Sequence, residues 1–193
     1  NDLTNALAWS EKAGNAAVDR SAQPEAVAHI SNALRLFRMI GQKDNEGQRE
    51  LSLLLQLGQA QFGAIGGGAP ETIVTFERAG HLATRLHDTT ARVKAHYGQY
   101  VGQVPTGQLQ RSSETAERVA AIARESGLAW IDMVAGRIES VVRYLMGDLP
   151  GGHEGVLRAM SHGDHVAREV PLGFAHNPIA TIQPVLAHIE WAT

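Results

Sequence analysis

The sequence predicts an all-α fold made of about four stacked antiparallel helical hairpins and a final helix. Three observations carry this expectation. A four-point pattern of small and apolar residues recurs four times along the chain. Pro and Gly fall mainly between the amphipathic segments. The 193-residue chain is 44% hydrophobic but only 5% aromatic, and its Ala, Leu, Gly and Val suit close-packed helices better than sheets.

The first copy of the pattern is Gly14, Ala26, Ile30 and Ala33, and the fourth is Ser140, Gly152, Val156 and Ala159 at identical spacing. The middle copies carry short insertions: Gly58, Thr72, Phe76 and Ala79, then Gly98, Ser112, Ala116 and Val119. Successive first positions stand 44, 40 and 42 residues apart. A period of this kind marks stacked helical hairpins, here longer than the tetratricopeptide unit of about 34 residues. The small residues are expected to set the contact distance between paired helices. Larger side chains there would cost about 1–3 kcal/mol each through overpacking.

The elements follow in order. A first helix is expected from Leu3 to Arg20, with Leu3, Leu7, Ala13, Gly14 and Ala17 on one stripe. Pro24 suits the first turn of the second helix, which continues to Ile40 and stops at Gly41. The third spans Glu46 to Ala64, burying Leu51, Leu54, Leu55, Gly58 and Phe62; Pro70 opens the fourth. The fifth covers Thr90 to Gln103 and ends before Pro105. The sixth runs from Gln108 to Ser126 and is closed by Gly127; the seventh runs from Leu128 to Met146. The eighth reaches Met160. Residues 161–177 read as irregular, with one short helix around Val166. Pro178 can open the last helix, and Pro184 then kinks it or makes it start late. The chain is thus read as one repeat domain, residues 1–193, with repeats at 3–40, 46–87, 90–127 and 128–160.

Composition narrows the function classes. The net charge is −3, Lys occurs only at Lys12, Lys43 and Lys94, and no basic run exists. Direct nucleic-acid binding is therefore not expected. Cys is absent, which removes thiolate chemistry and fits a reducing, cytoplasmic setting. No segment reaches the roughly 18 apolar residues of a membrane helix. The chain opens inside a helical pattern and stops at Trp191-Ala192-Thr193, in what reads as the first helix of a fifth hairpin. It is expected to be an excised part of a longer protein.

Several segments carry a family resemblance. Trp9-Ser10-Glu11-Lys12-Ala13-Gly14, then Arg20-Ser21, Glu25-Ala26-Val27-Ala28-His29 and Ala33-Leu34 resemble the opening of the TPR-like region of large bacterial signalling ATPases. Glu50 to Gly58 and Ala69-Pro70-Glu71 resemble the next unit; Tyr144-Leu145-Met146-Gly147-Asp148 and Ala187-His188-Ile189-Glu190-Trp191-Ala192 resemble later ones. The resemblance spans essentially the whole chain. Ser140 in place of Gly and the Gly66-Gly67-Gly68 insertion depart from it. It implies a right-handed superhelix, a TPR-like α-solenoid. In such proteins an output domain, a winged helix or a class III adenylate cyclase, precedes a P-loop ATPase, and the repeats come last and gate it. The implied function is a non-catalytic interaction or ligand-sensing domain of a bacterial ATP-dependent transcriptional regulator. The alternatives are the corresponding region of an adenylate cyclase, or a free-standing scaffold.

Candidate chemistry is sparse. The loop from Gly63 to Pro70 lacks the Lys-Ser or Lys-Thr of a phosphate loop and reads as an inter-helix connection. His153, His162 and His165 with Asp164 could approach a metal, but Gly163 intervenes and no third ligand is fixed by spacing, so a solvated loop is expected. Glu114–Glu117 and Glu46–Glu50 read as exposed charge on helix faces. Phe37, Met39, Phe62, Phe76, Met133, Tyr144 and Met146 read as core or groove packing. No enzyme activity, metal or cofactor is expected within the chain.

The remaining candidate is an inner groove lined by the first helix of each hairpin. Stepping from each small residue places Glu11, Asn15 and Asp19, then Gln59 and Phe62, then Gln99 and Gln103, then Arg137, Val141 and Tyr144 on that face. This amide-rich lining suits a protein or peptide partner, another domain of the same polypeptide, or a small polar effector.

Overall fold

The computed structural model describes residues 2–41, 47–171, 173–174, 180 and 182–192. Among the described residues there are ten helices and no strand: α1 Asp2–Asp19, α2 Gln23–Ile40, α3 Gly47–Ile65, α4 Pro70–Arg85, α5 Thr89–Gln103, α6 Leu109–Ser126, α7 Ala129–Leu145, α8 Leu149–Ser161, α9 Gly163–Ala167 and α10 Ile182–Ala192. The all-α expectation and the order of helices hold. Pro184 falls in the first turn of α10, so that helix starts late. Pro178 and Glu46 lie outside the described residues.

Local chemistry sets the helix ends. Pro24, Pro70 and Pro150 sit in the first turns of α2, α4 and α8, where no intrahelical N–H is lost. Asp88 and Asp148 cap α5 and α8 by accepting the backbone N–H of Ala91 and Gly151, at 2.9 and 3.0 Å. Gly127 closes α6 in the left-handed region, φ +65°, which favours a residue without Cβ.

The chain divides into two units, Asn1–Gly98 and Gln99–Thr193, with the border inside α5. In the first unit α1 packs on α2, α2 on α3 and α3 on α4. Its core is built from Leu7, Ile30, Phe37, Leu51, Leu54 and Phe76, with Ala at the close contacts. In the second unit α6 packs on α7, α7 on α8, and α10 against α8 and α7. Its core includes Val119, Ile122, Ile131, Ile138, Val156 and Ile189.

All sixteen positions of the repeat pattern are buried. Their partners show why they are small. A Cβ on Gly14 would stand 2.8 Å from Ile30 Cγ1, and one on Gly58 would stand 2.7 Å from the Phe76 ring. Gly98 is covered by the other side of the same ring. In the fourth copy α7 and α8 meet backbone to backbone: Gly136 faces the Gly155 carbonyl, Gly152 the Ser140 carbonyl, and Gly155 the Ser140 N–H.

Some expected burial fails. Leu3 is 39% exposed, and the buried stripe of α1 is Leu7, Ser10, Gly14 and Ala17. Met39 and Met146, read as packing residues, are more than half exposed, whereas Phe37, Phe76 and Met133 are core. Glu50, read as exposed, is buried, because α2 and α4 close over its side of α3. Glu114 and Glu117 are exposed as expected.

Candidate functional site

The first unit gathers part of the expected lining between α1 and α3. Glu11 projects from α1 one turn before Asn15, so both share a face. Opposite them on α3 stands Arg49. Its Nε and Nη2 donate to the two carboxylate oxygens of Glu11 at 2.8 Å each, a bidentate pair of the strong planar kind. Asn15, Ser52, Leu53 and Gln56 complete a cavity of about 190 Å³ around this pair. Asp19 is exposed at the end of α1, and Gln59 and Phe62 are half-buried on α3. The sequence reading missed Arg49, Ser52 and Gln56. It stepped from Gly58 to Gln59 and Phe62 and only one turn back, to Leu55, whereas Arg49, Ser52 and Gln56 face α1 from the N-terminal half of α3.

In the second unit the candidate residues serve the interior. Gln99, Gln103 and Arg137 are only 5%, 8% and 5% exposed. The Gln103 side-chain carbonyl accepts the Thr115 hydroxyl at 3.0 Å. The Arg137 guanidinium lies 5.4 Å from the centre of the Tyr100 ring, a cation–π contact removed from water. Burial pushes the Tyr100 phenol above its ordinary value, with the charge and hydrogen bond of Arg137 pulling partly back. Val141 and Tyr144 are half-buried on α7.

In the histidine-rich segment Val166 is buried, the Phe174 ring stands edge-on to Trp130 at 6.4 Å, and one histidine pairs with α7. His162 Nε2 and Asp132 Oδ2 of α7 stand 2.9 Å apart. His165 and Asp164 are exposed, and His153 is half-buried. Among the described residues no group of three or more His, Asp or Glu is placed to hold a metal ion. The glycine loop is fastened by the Thr72 hydroxyl, which donates to the Gly66 carbonyl at 3.0 Å. No helix among the described residues is long and apolar enough to cross a membrane.

Chemically, the α1–α3 face offers a fixed ion pair flanked by an amide, a hydroxyl and a second amide. Such a set orients a polar main chain or side chain by hydrogen bonds. No protein-family model matches this chain, and no curated protein matches it.

Proposed function

We propose that this chain is a non-catalytic interaction domain that binds a protein or peptide partner on the polar face between α1 and α3. The observation that carries the reading is the division of labour along the repeat. Its small residues are spent on helix contacts, while Glu11, Asn15, Arg49 and Gln56 line a cavity on the adjoining face. This arrangement suits a helical-repeat binder of the TPR-like superhelical kind, in which specificity resides in side chains beside a rigid scaffold.

The resemblance described above supplies the context: a regulatory repeat region of a bacterial ATP-dependent regulator, acting in the cytoplasm. The mechanism is differential binding. A partner that prefers one arrangement of the hairpins shifts the attached machinery toward the state that displays it.

The test is selection of random peptides displayed on phage against the purified chain, followed by affinity measurement on the selected sequences. Saturable binding that Asn15→Arg or Gln56→Arg removes, with helicity unchanged, supports the reading. Failure to enrich any peptide, or binding indifferent to both substitutions, overturns it.

A further inference from the structure

A second face of the first unit has the opposite character. Where α3 lies between α2 and α4, two cavities of about 420 and 320 Å³ share Arg78 in their lining. Arg35 and Arg38 come from α2, and Arg78 and Arg85 from α4; Glu50 and Glu77 are the acids. Among the described residues, four arginines against two carboxylates leave a basic cleft on a chain of net charge −3. Glu50 is buried beneath it, with Arg38 Nε at 3.9 Å and Arg78 Nη2 at 3.6 Å. Those separations exceed hydrogen-bond length, so Glu50 does not consume the donors of Arg38 and Arg78. Arg35 donates to Asn32 Oδ1 at 2.8 Å and to Met39 Sδ at 3.2 Å and keeps its remaining donors. Among the described residues no carboxylate pairs with Arg35 or Arg85.

The repeat itself builds this arrangement. Arg38 lies twelve residues after Ala26, and Arg124 twelve after Ser112. Glu50 lies eight before Gly58, and Asp132 eight before Ser140. Arg78 lies six after Thr72, and Arg158 six after Gly152. Arg124, Asp132 and Arg158 all line one cleft of the second unit, of about 590 Å³. The same arginine–acid–arginine set therefore occurs once in each unit, at the same repeat positions.

The two clefts differ at one decisive place. In the second unit Glu139, the residue before Ser140, reaches in, and Arg158 Nη2 meets its Oε2 at 2.6 Å. The corresponding residue before Gly58 is Leu57, which lines the cleft of the first unit. The second unit thus carries its own carboxylate on the arginine, and the first unit has an aliphatic side chain in that register.

From this we propose that the α2–α4 cleft of the first unit docks an acidic peptide segment, one of whose carboxylates takes on Arg78 the place that Glu139 takes on Arg158. Guanidinium forks match carboxylates bidentately. Leu34, Leu57 and the 58%-exposed Met39 give apolar contact beside them. Glu50 and Glu77 in the walls disfavour a polyphosphate or nucleic-acid backbone, which carries a charge at every step. This site is separate from the α1–α3 face, and either can fail without the other.

The test is fluorescence anisotropy of a labelled peptide of Glu, Asp and Leu on the full chain, beside the same peptide with Gln and Asn for the acids. The acidic peptide is expected to saturate and to weaken with salt, and the amide peptide to bind at least about tenfold more weakly. Arg35→Glu and Arg85→Glu, which leave the Glu50 contacts intact, are each expected to weaken binding by about tenfold or more. Leu57→Glu is expected to abolish it by supplying the carboxylate internally. Circular dichroism melts check that each variant is folded. Equal affinity for the amide peptide, or unchanged affinity in both arginine variants, overturns the proposal. So does equal binding of a single-stranded oligonucleotide, which would make the cleft a general polyanion site.

Discussion

The Ser140 hydroxyl donates to the Gly152 carbonyl across the α7–α8 hairpin at 2.6 Å, and both residues are buried. The serine keeps the closeness of the glycine-like position and adds a bond. Ser140→Ala is expected to lower stability by about 1 kcal/mol, the worth of one intramolecular hydrogen bond. Ser140→Leu should cost about 1–3 kcal/mol or more by forcing the helices apart. Urea unfolding of both variants measures this, and a leucine variant as stable as the alanine one would contradict it.

Phe76 is 1% exposed and fills the space in front of both Gly58 and Gly98. Gly98→Ala is expected to destabilise by about 1–3 kcal/mol, because the added methyl meets the ring face and not the end of a flexible chain. Phe76→Leu should lessen that penalty in the double variant while costing stability alone. The coupling is read from a double-mutant cycle by denaturant titration. Additive effects would show that the ring is not what the methyl meets.

The Glu11–Arg49 pair is bidentate but a quarter to two-fifths exposed, with side-chain values of 23% and 39%. Its coupling energy is expected to be up to about 1 kcal/mol and to shrink in molar salt. Glu11→Gln, Arg49→Gln and the double variant, measured at low and high ionic strength, give the number. Coupling that persists undiminished in salt would place the pair in a drier setting than its exposure indicates.

Tyr100 gives a pH prediction. Its folded value is raised above the ordinary 10.0 by burial, so the unfolded chain loses the proton first. The tyrosine's contribution is intact below about pH 10 and is lost as pH rises through the raised folded value. Lys94 runs the other way, since burial lowers it from 10.5 and makes stability rise with pH as the unfolded chain sheds its extra proton. Melting temperatures of the wild type and Tyr100→Phe between neutral and alkaline pH separate the two, because the difference curve contains Tyr100 alone. The wild type should lose stability relative to the variant only on the alkaline side.

Much of the architecture was legible because punctuation and periodicity are local. Pro24 and Pro70 announced helix starts, Gly127 a helix end, and the spacing of Gly14, Gly58, Gly98 and Ser140 the contact points; Pro150 reads as part of a turn and opens α8 instead. Surfaces were harder to read. A stripe such as Gln99, Gln103 and Arg137 records which residues share a face, and says nothing of what covers that face. The partner of Gln103 is Thr115, and that of Arg137 is the ring of Tyr100; neither pairing follows from helical spacing. Glu50 is the same case in reverse. Its charge suggested solvent, and its burial depends on Arg38 and Arg78 arriving from separate helices. Arg49 was missed because it lies nine residues before Gly58, beyond the single turn by which the face was extended in that direction.

The placement of Phe76 bears on how the first unit comes apart. One ring on α4 roofs a glycine of α3 and a glycine of α5. Lifting any one of the three segments bares an aromatic surface that the other two were sharing, so none can fray alone at low cost. Amide protons on α3, α4 and residues 89–98 should therefore exchange with deuterium at a common free energy, as one opening event, in place of the graded, hairpin-by-hairpin release that independent repeats would show.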